Sequence, residues 1–184
     1  MKKPLLFARE LIAEKLPTGG VAVDATCGNG HDTLFLAQQV GPGGTVLAFD
    51  IQQQAVDATK ERLAEAALLD RVQLYTDSHA NLDDYVQSGI DAMMFNLGYL
   101  PGSDHEVVTQ PQTTVAALGV AVEKLNKNGI ITLVVYTGHA GGPEEYQAVR
   151  KFAATLPQRD YIVLEYQLIN QINRPPLLLA ITRR

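Results

Sequence analysis

Val21-Ala22-Val23-Asp24-Ala25-Thr26-Cys27-Gly28-Asn29-Gly30-His31-Asp32-Thr33 is the stretch that decides the fold. It reads as a short apolar strand ending in an acid, a turn carrying two glycines, and the start of a helix. Gly28 and Gly30 allow a sharp turn and let the backbone come close to a ligand. The first turn of the following helix leaves N–H groups free for a polar ligand. Working outward, strand and helix alternate. Strands are expected at residues 21–26, 45–50, 72–77, 90–98 and 130–136, each an apolar run bounded by turn residues. Helices are expected at 32–40, 52–67, 81–86, 113–125 and 144–156. Near the N-terminus, Leu5, Leu6, Ala8, Leu11, Ile12 and Leu16 mark the core face of a further amphipathic helix.

Two closing strands, 161–169 and 177–182, are separated only by Asn170-Gln171-Ile172-Asn173-Arg174-Pro175-Pro176. That spacer is too short for a crossover helix, so the pair must run antiparallel. The expected architecture is α/β: a doubly wound, mostly parallel seven-stranded sheet with an antiparallel C-terminal hairpin. With 184 residues and no internal repeat or linker, one domain over 1–184 is expected.

Composition narrows the function. An apolar share of 46% is ordinary for a globular protein, and no apolar run approaches the ~20 residues of a membrane span. Arg9 and Glu10 break the first apolar run too early for a signal peptide. The single Cys27 excludes an internal disulfide and a Cys-rich zinc site, and it fits a reducing cytoplasm. Four scattered histidines form no HExxH pattern, so no metal is expected. A net charge of −5 argues against coating nucleic acid by bulk charge, but leaves room for gripping one nucleotide or one RNA loop.

In open parallel sheets, ligands bind beyond the carboxyl ends of the strands, where strand order reverses. The first four strands close on Asp24, Asp50, Asp77 and Asn96. Such residues also cap helices, but four along one edge point to a site. Asp50 lies where dinucleotide folds place a ribose-binding acid, and Asp77-Ser78 suits an adenine edge. A dinucleotide fingerprint would need a third glycine where Thr33 stands. Asp24 and Asp32 flank the turn, and two carboxylates repel a pyrophosphate but receive an ammonium. Adenosine, a cationic centre and an amino-acid tail together describe S-adenosylmethionine.

The reversed closing strand agrees, because class I methyltransferases add such a strand by a hairpin. The chain resembles class I methyltransferases over nearly its whole length. More narrowly, it is similar to a small bacterial family labelled rRNA methylase, associated with methylating the aminomethyl group on the wobble uridine of tRNA. The matching residues are Val23-Asp24-Ala25-Thr26 with Gly28-Asn29-Gly30-His31-Asp32-Thr33, and Asn96-Leu97-Gly98-Tyr99-Leu100-Pro101-Gly102 with Asp104-His105. Thr113-Thr114, Tyr136 with Gly138-His139 and Gly141-Gly142, and Asn173 with Pro175-Pro176 match as well.

The resemblance implies S-adenosylmethionine as cofactor, with further donor contacts from Thr26, Asn29, Gln52, Ser78, His79 and Asn96. Asn96-Leu97-Gly98-Tyr99 resembles the Asn-Pro-Pro-Tyr loop of amino-group methylases, with Leu97-Gly98 in place of both prolines. In that role Asn96 accepts hydrogen bonds from the substrate amine and Tyr99 stacks on the base. A primary alkyl amine must lose a proton before attack, and His139 is the candidate base, with an ordinary loop residue as its alternative. Asp32 or Asp104 could instead orient the ammonium. Asp104, His105 and Thr109 fall on the acceptor edge, where Thr113 and Thr114 serve equally well as turn and cap residues.

His31 reads as a cap or cofactor contact, and Cys27 as small-residue packing rather than a nucleophile. Arg150, Lys151, Arg159 and Arg174, with Lys2, Lys3 and Arg9, are candidate phosphate contacts or simply a solvated face. The implied partner is a tRNA anticodon loop, recognised by shape and a flipped base, and a homodimer is implied with the apolar final strand as its surface. Two other functions fit the same residues: methylation of rRNA or a small-molecule amine, and a non-catalytic nucleotide-binding module.

Overall fold

Apolar runs of four to eight residues become strands here because helices cover both faces of the sheet. The computed structural model describes residues 1–87, 89–98, 108–173 and 175–184. Strands β1 (Val21–Asp24), β2 (Thr45–Asp50), β3 (Val72–Thr76), β4 (Ile90–Leu97) and β5 (Leu125–Val135) run parallel. β7 (Leu177–Arg183) is antiparallel both to β5 and to the edge strand β6 (Tyr161–Tyr166). The order β3-β2-β1-β4-β5-β7-β6 reverses beside β1, which pairs Val23 with Leu47 of β2 on one side and with Met93 of β4 on the other. A crevice at the carboxyl ends of β1 and β4 follows from that reversal.

The period-two alternation of the strands divides the core. Val23, Leu47, Phe49, Met93, Phe95 and Leu133 face α4 (Leu82–Tyr85), α5 (Pro111–Lys124) and α6 (Gly142–Ala154). Their neighbours Ala22, Val46, Ala92, Met94 and Val134 face α1 (Pro4–Lys15), α2 (His31–Val40) and α3 (Gln53–Glu65). Every expected strand and helix is present, and the differences lie at the ends. In α1, Ala8 and Ile12 are buried but Leu6 points to solvent. α3 ends at Glu65, short of the expected 67, and Ala66 beyond its last turn is exposed. β5 begins five residues early because Leu125 pairs with Ile90, and regular pairing resumes at Ala92 with Ile130 after an irregularity that holds Asn128 at φ 64°.

The final strand differs in a more consequential way. β7 lies between β5 and β6 with Leu177 to Ile181 buried, so it offers no association surface. The apolar edge is β6, where Ile162, Val163 and Leu164 are exposed. No helix among the described residues is long and apolar enough to cross a membrane.

Candidate active site

The glycine turn is held by contacts that its sequence only hints at. Gly28 and Gly30 adopt φ 50° and 77°, the left-handed region that favours glycine. A Cβ on Gly30 would lie 2.9 Å from Thr59 Cα, so the turn packs directly onto α3. Thr59 Oγ1 donates to the Gly28 carbonyl at 3.0 Å and Arg62 Nε to the Asn29 carbonyl at 2.6 Å. From β2, Asp50 accepts the Gly28 N–H at 3.0 Å.

Asp24 differs from the expectation that it meets the ligand. It is buried behind the turn and does not line the cleft. Its Oδ1 accepts the Thr26 N–H at 3.1 Å and its Oδ2 accepts the Thr33 hydroxyl at 2.6 Å. Thr33 therefore stands where a third glycine would be because Asp24 needs its hydroxyl. Gly30 and Thr33 likewise stay off the cleft wall. Burial, and after it the neighbouring Asp32 carboxylate, raise the Asp24 carboxyl from an ordinary 3.8 to about 7.

The cleft measures about 360 Å³ and opens at the carboxyl ends of β1 to β4. Thr26, Gly28, Asn29 and Asp32 reach it from the turn, and Asp50 and Gln52 from the end of β2. Asp77, Ser78 and His79 come from the end of β3, Asn96 from β4, and Thr109 from the opposite wall. His31 and Cys27 line it too, and burial pushes the Cys27 thiol up, which keeps it a neutral packing group.

Each acid has a distinct state. Asp50 accepts Gln52 N–H on Oδ1 and Gly28 N–H on Oδ2, leaving a lone pair on each oxygen; burial raises its pKa against those two bonds. Asp77 accepts from Ser78 N, Asn81 Nδ2 and the Tyr85 hydroxyl, which together hold its pKa down, the tyrosine most. Asp32 is paired with Arg9, whose Nε and Nη2 lie 2.8 and 2.7 Å from Oδ1. The guanidinium also sits 5.5 Å over the Phe35 ring.

Two buried polar atoms on the wall lack a hydrogen-bond partner among the described residues: His79 Nε2 and Asn96 Oδ1. His79 Nδ1 is 3.0 Å from the Ala25 carbonyl. A carbonyl only accepts, so Nδ1 carries the proton and Nε2 is an acceptor. Burial lowers the His79 pKa, favouring this neutral form. Asn96 receives a similar orientation. Its backbone N–H donates to Thr26 Oγ1 at 2.8 Å, and its Nδ2 faces Asp32 Oδ2 at 3.5 Å, which leaves Oδ1 as the acceptor without a partner among the described residues.

On the acceptor side the Thr109 N–H donates to the Gly98 carbonyl at 3.0 Å. His139 does not line the cleft; Nδ1 lies 2.9 Å from the Ala140 carbonyl, and the His139 carbonyl accepts the Gly142 N–H. Its ring nonetheless borders Gly98, since a Cβ there would be 3.6 Å from His139 Nε2. Tyr99, Asp104, His105 and Arg174 lie outside the described residues. Of the candidate phosphate contacts, Arg150 pairs with Glu165, Arg159 with Asp160, Lys2 with Glu10 and Arg9 with Asp32.

Ile51, Val108 and Gln110 on the cleft wall had no sequence signal beyond adjacency to an acid or a threonine already singled out. Tyr136 also lines the wall, though the motif that contains it assigned it no role. Among the described residues no cluster of His, Cys, Asp and Glu is arranged to hold a metal.

The donor set suits an adenosyl group with an amino-acid tail: free acceptor capacity on Asp50 and His79, and the Asp32 carboxylate in the turn. Together the sheet order, the reversed β7 and this cleft define the class I methyltransferase fold. The chain belongs to the family described as "Putative rRNA methylase", whose model matches residues 46–182.

A chloroplastic tRNA (mnm(5)s(2)U34)-methyltransferase of Arabidopsis thaliana is 36% identical over 99% of this chain and 70% of its own length. A crystal structure of a putative rRNA methylase from Clostridium thermocellum shares 44% identity at a TM-score of 0.98, covering 100% of this chain and 99% of that one. A putative methyltransferase from Streptococcus mutans, solved in complex with SAH, shares 38% identity at a TM-score of 0.92, with 100% and 99% coverage.

Proposed function

We propose that this chain is an S-adenosylmethionine-dependent N-methyltransferase acting on the aminomethyl group of the tRNA wobble uridine, converting 5-aminomethyl-2-thiouridine to its 5-methylaminomethyl form. The observation that carries this reading is the buried Asn96 Oδ1, without a partner among the described residues, on a residue of the cleft wall. An acceptor-only atom fixed at a strand end suits a substrate N–H, and the Arabidopsis relative supports the choice of amine.

Asp50, Gln52, Ser78 and His79 would hold the adenosine, and Asp32 the ammonium of the tail. When bound, S-adenosylmethionine supplies an electrophilic methyl group. The chain's own residues then have to align a neutral amine. Asn96 Oδ1 accepts one N–H and directs the nitrogen lone pair away from itself, and Asp32 holds the amide in that orientation. His139, beside Gly98, is assigned to take the proton that the alkylammonium must lose. The anticodon loop is the proposed RNA element, bound by shape and a flipped base. We place this enzyme in the cytoplasm on the strength of its solitary cysteine, as one domain over 1–184. Its proposed homodimer is assigned to the exposed β6 edge.

Mass spectrometry of tRNA nucleosides from a deletion strain tests the reading. Loss of the methylaminomethyl nucleoside with accumulation of the aminomethyl one is expected. Unchanged tRNA together with a lost methyl mark on rRNA would replace the substrate with rRNA.

A further inference from the structure

Glu145 is a carboxylate that neither the cofactor nor the acceptor reading uses. It is 1% exposed, in the first turn of α6, and no lysine or arginine among the described residues pairs with it. Burying a carboxylate without a cation is costly, and the helix N-terminus offsets only part of that cost. What it gains are two hydroxyl hydrogen bonds. Thr109 Oγ1 donates to Oε2 and Thr114 Oγ1 to Oε1, each at 2.7 Å.

Of these two threonines, Thr109 belongs to the opposite wall of the site and Thr114 lies behind it. Thr109 lines the cleft and its N–H holds the carbonyl of Gly98, two residues beyond Asn96. Thr114 is buried in the first turn of α5. The Glu145 backbone N–H donates to the Gly141 carbonyl, at the end of the loop that carries His139. The side chain therefore ties the first turn of α6 to the start of α5 and to Thr109, whose backbone holds the end of β4. Only a carboxylate offers an acceptor oxygen to both hydroxyls. A glutamine keeps one such oxygen and turns a donor toward the other.

We infer that Glu145 is a positioning residue for the acceptor: through Thr109 and Gly98 it fixes the strand end that carries Asn96, without itself reaching the cleft. This rests on the reading that Asn96 receives the substrate amine. It predicts a failure of acceptor turnover that spares the methyl donor, which a general loss of stability would not produce.

The test uses the full chain, with tRNA from a deletion strain as acceptor and SAH as the binding probe. Glu145→Gln and Thr109→Val should each lower kcat/KM for the RNA about tenfold, the worth of one buried hydrogen bond to a charged group. SAH affinity should stay within about twofold, because no donor contact changes. A double variant of Glu145→Ala with Thr109→Val should be no worse than Glu145→Ala alone, since both changes remove the Thr109 bond. Thr114→Val, which breaks the bond to a residue off the cleft wall, should lower the melting temperature and leave kcat/KM within about twofold.

Hydrogen exchange gives a readout independent of activity. The Thr109 amide should exchange about tenfold faster in Glu145→Gln, and the Gly28 and Gly30 amides should not change. An unchanged Thr109 amide, a parallel loss of SAH affinity, or additive effects in the double variant would overturn the inference. A wild-type chain that leaves tRNA unmethylated would instead sink the substrate reading, and the exchange measurement would still decide the role of Glu145.

Discussion

The two walls of the cleft are built on opposite plans. On the donor wall, the strand-end acids each take a backbone N–H from a residue or two away: Gln52 N–H on Asp50, Ser78 N–H on Asp77, and Thr26 N–H on Asp24 behind them. On the acceptor wall, Thr109 is fixed by Glu145, 36 residues further along the chain, and Asn96 by Thr26 and Asp32 across the sheet. The donor wall adds local turns to tertiary contacts such as Gly28 to Asp50, Asn29 to Arg62 and His79 to Ala25, whereas Thr109 and Asn96 rest on tertiary contacts. A strand-end acid can take its backbone partner as soon as the strand end forms, whereas the acceptor wall needs three segments in place at once.

Separating the two walls by substitution sharpens this contrast. The largest effect is expected of Asn96→Ala, which removes the acceptor atom from the wall. Methyl transfer should fall by roughly 100-fold or more, while calorimetry finds SAH affinity within a few-fold of wild type. A comparable loss of SAH affinity would merge the two walls. Gly30→Ala forces a side chain into the left-handed region and against Thr59 backbone. A loss of about 2–3 kcal/mol in denaturant-measured stability is expected, with donor affinity falling in step.

Asp24 gives a pH signature. Its carboxyl is raised to about 7 in the folded chain against an ordinary 3.8. Between those values the folded state holds a proton that the unfolded state has released. Stability from this group therefore declines as pH rises from about 4 to 7 and levels off above. Urea unfolding at pH 5 and pH 8 should differ by on the order of 2 kcal/mol, and Asp24→Asn should flatten that difference. A wild-type profile flat over this window would contradict the buried pair. The smallest effect is assigned to Asp50→Ala, which should weaken SAH binding about tenfold. Turnover at saturating donor should remain within a few-fold, the mirror image of Asn96→Ala.

This contrast also explains what could be read in the chain. Strand-terminal acids announce themselves because each takes a backbone partner a residue or two on, and the glycine turn because its residue types are local even though its partners are distant. Asp50, Asp77 and His79 are therefore on the cleft wall as the chain order implies. Asp24 was readable as an acid beside the turn but not as one that faces inward, because its orientation depends on Thr33, nine residues on in the first turn of α2. Arg9 looked like a stray surface cation, and only the packing of α1 brings it to Asp32. Glu145 sits among helix-start residues typical of any acidic first turn, so nothing local separates it from the exposed Glu144 beside it. The burial of β7, expected as an association surface, was hidden for a similar reason: an apolar strand and an exposed strand look alike until the sheet order is known.

The place of α1 has a consequence for the order in which the site is completed. Ala8, Ile12 and Leu16 share a cluster with Ile130, Val134, Leu178 and Ala180, and Phe7 meets the Tyr166 ring edge-on at 5.1 Å. The helix synthesised earlier thus docks on strands synthesised last. A nascent chain that has made the glycine turn, but not yet β7, lacks part of the surface on which α1 rests. Until that surface is complete, Arg9 is less firmly held beside Asp32. One ion pair of the donor wall is in this way coupled to the far edge of the sheet.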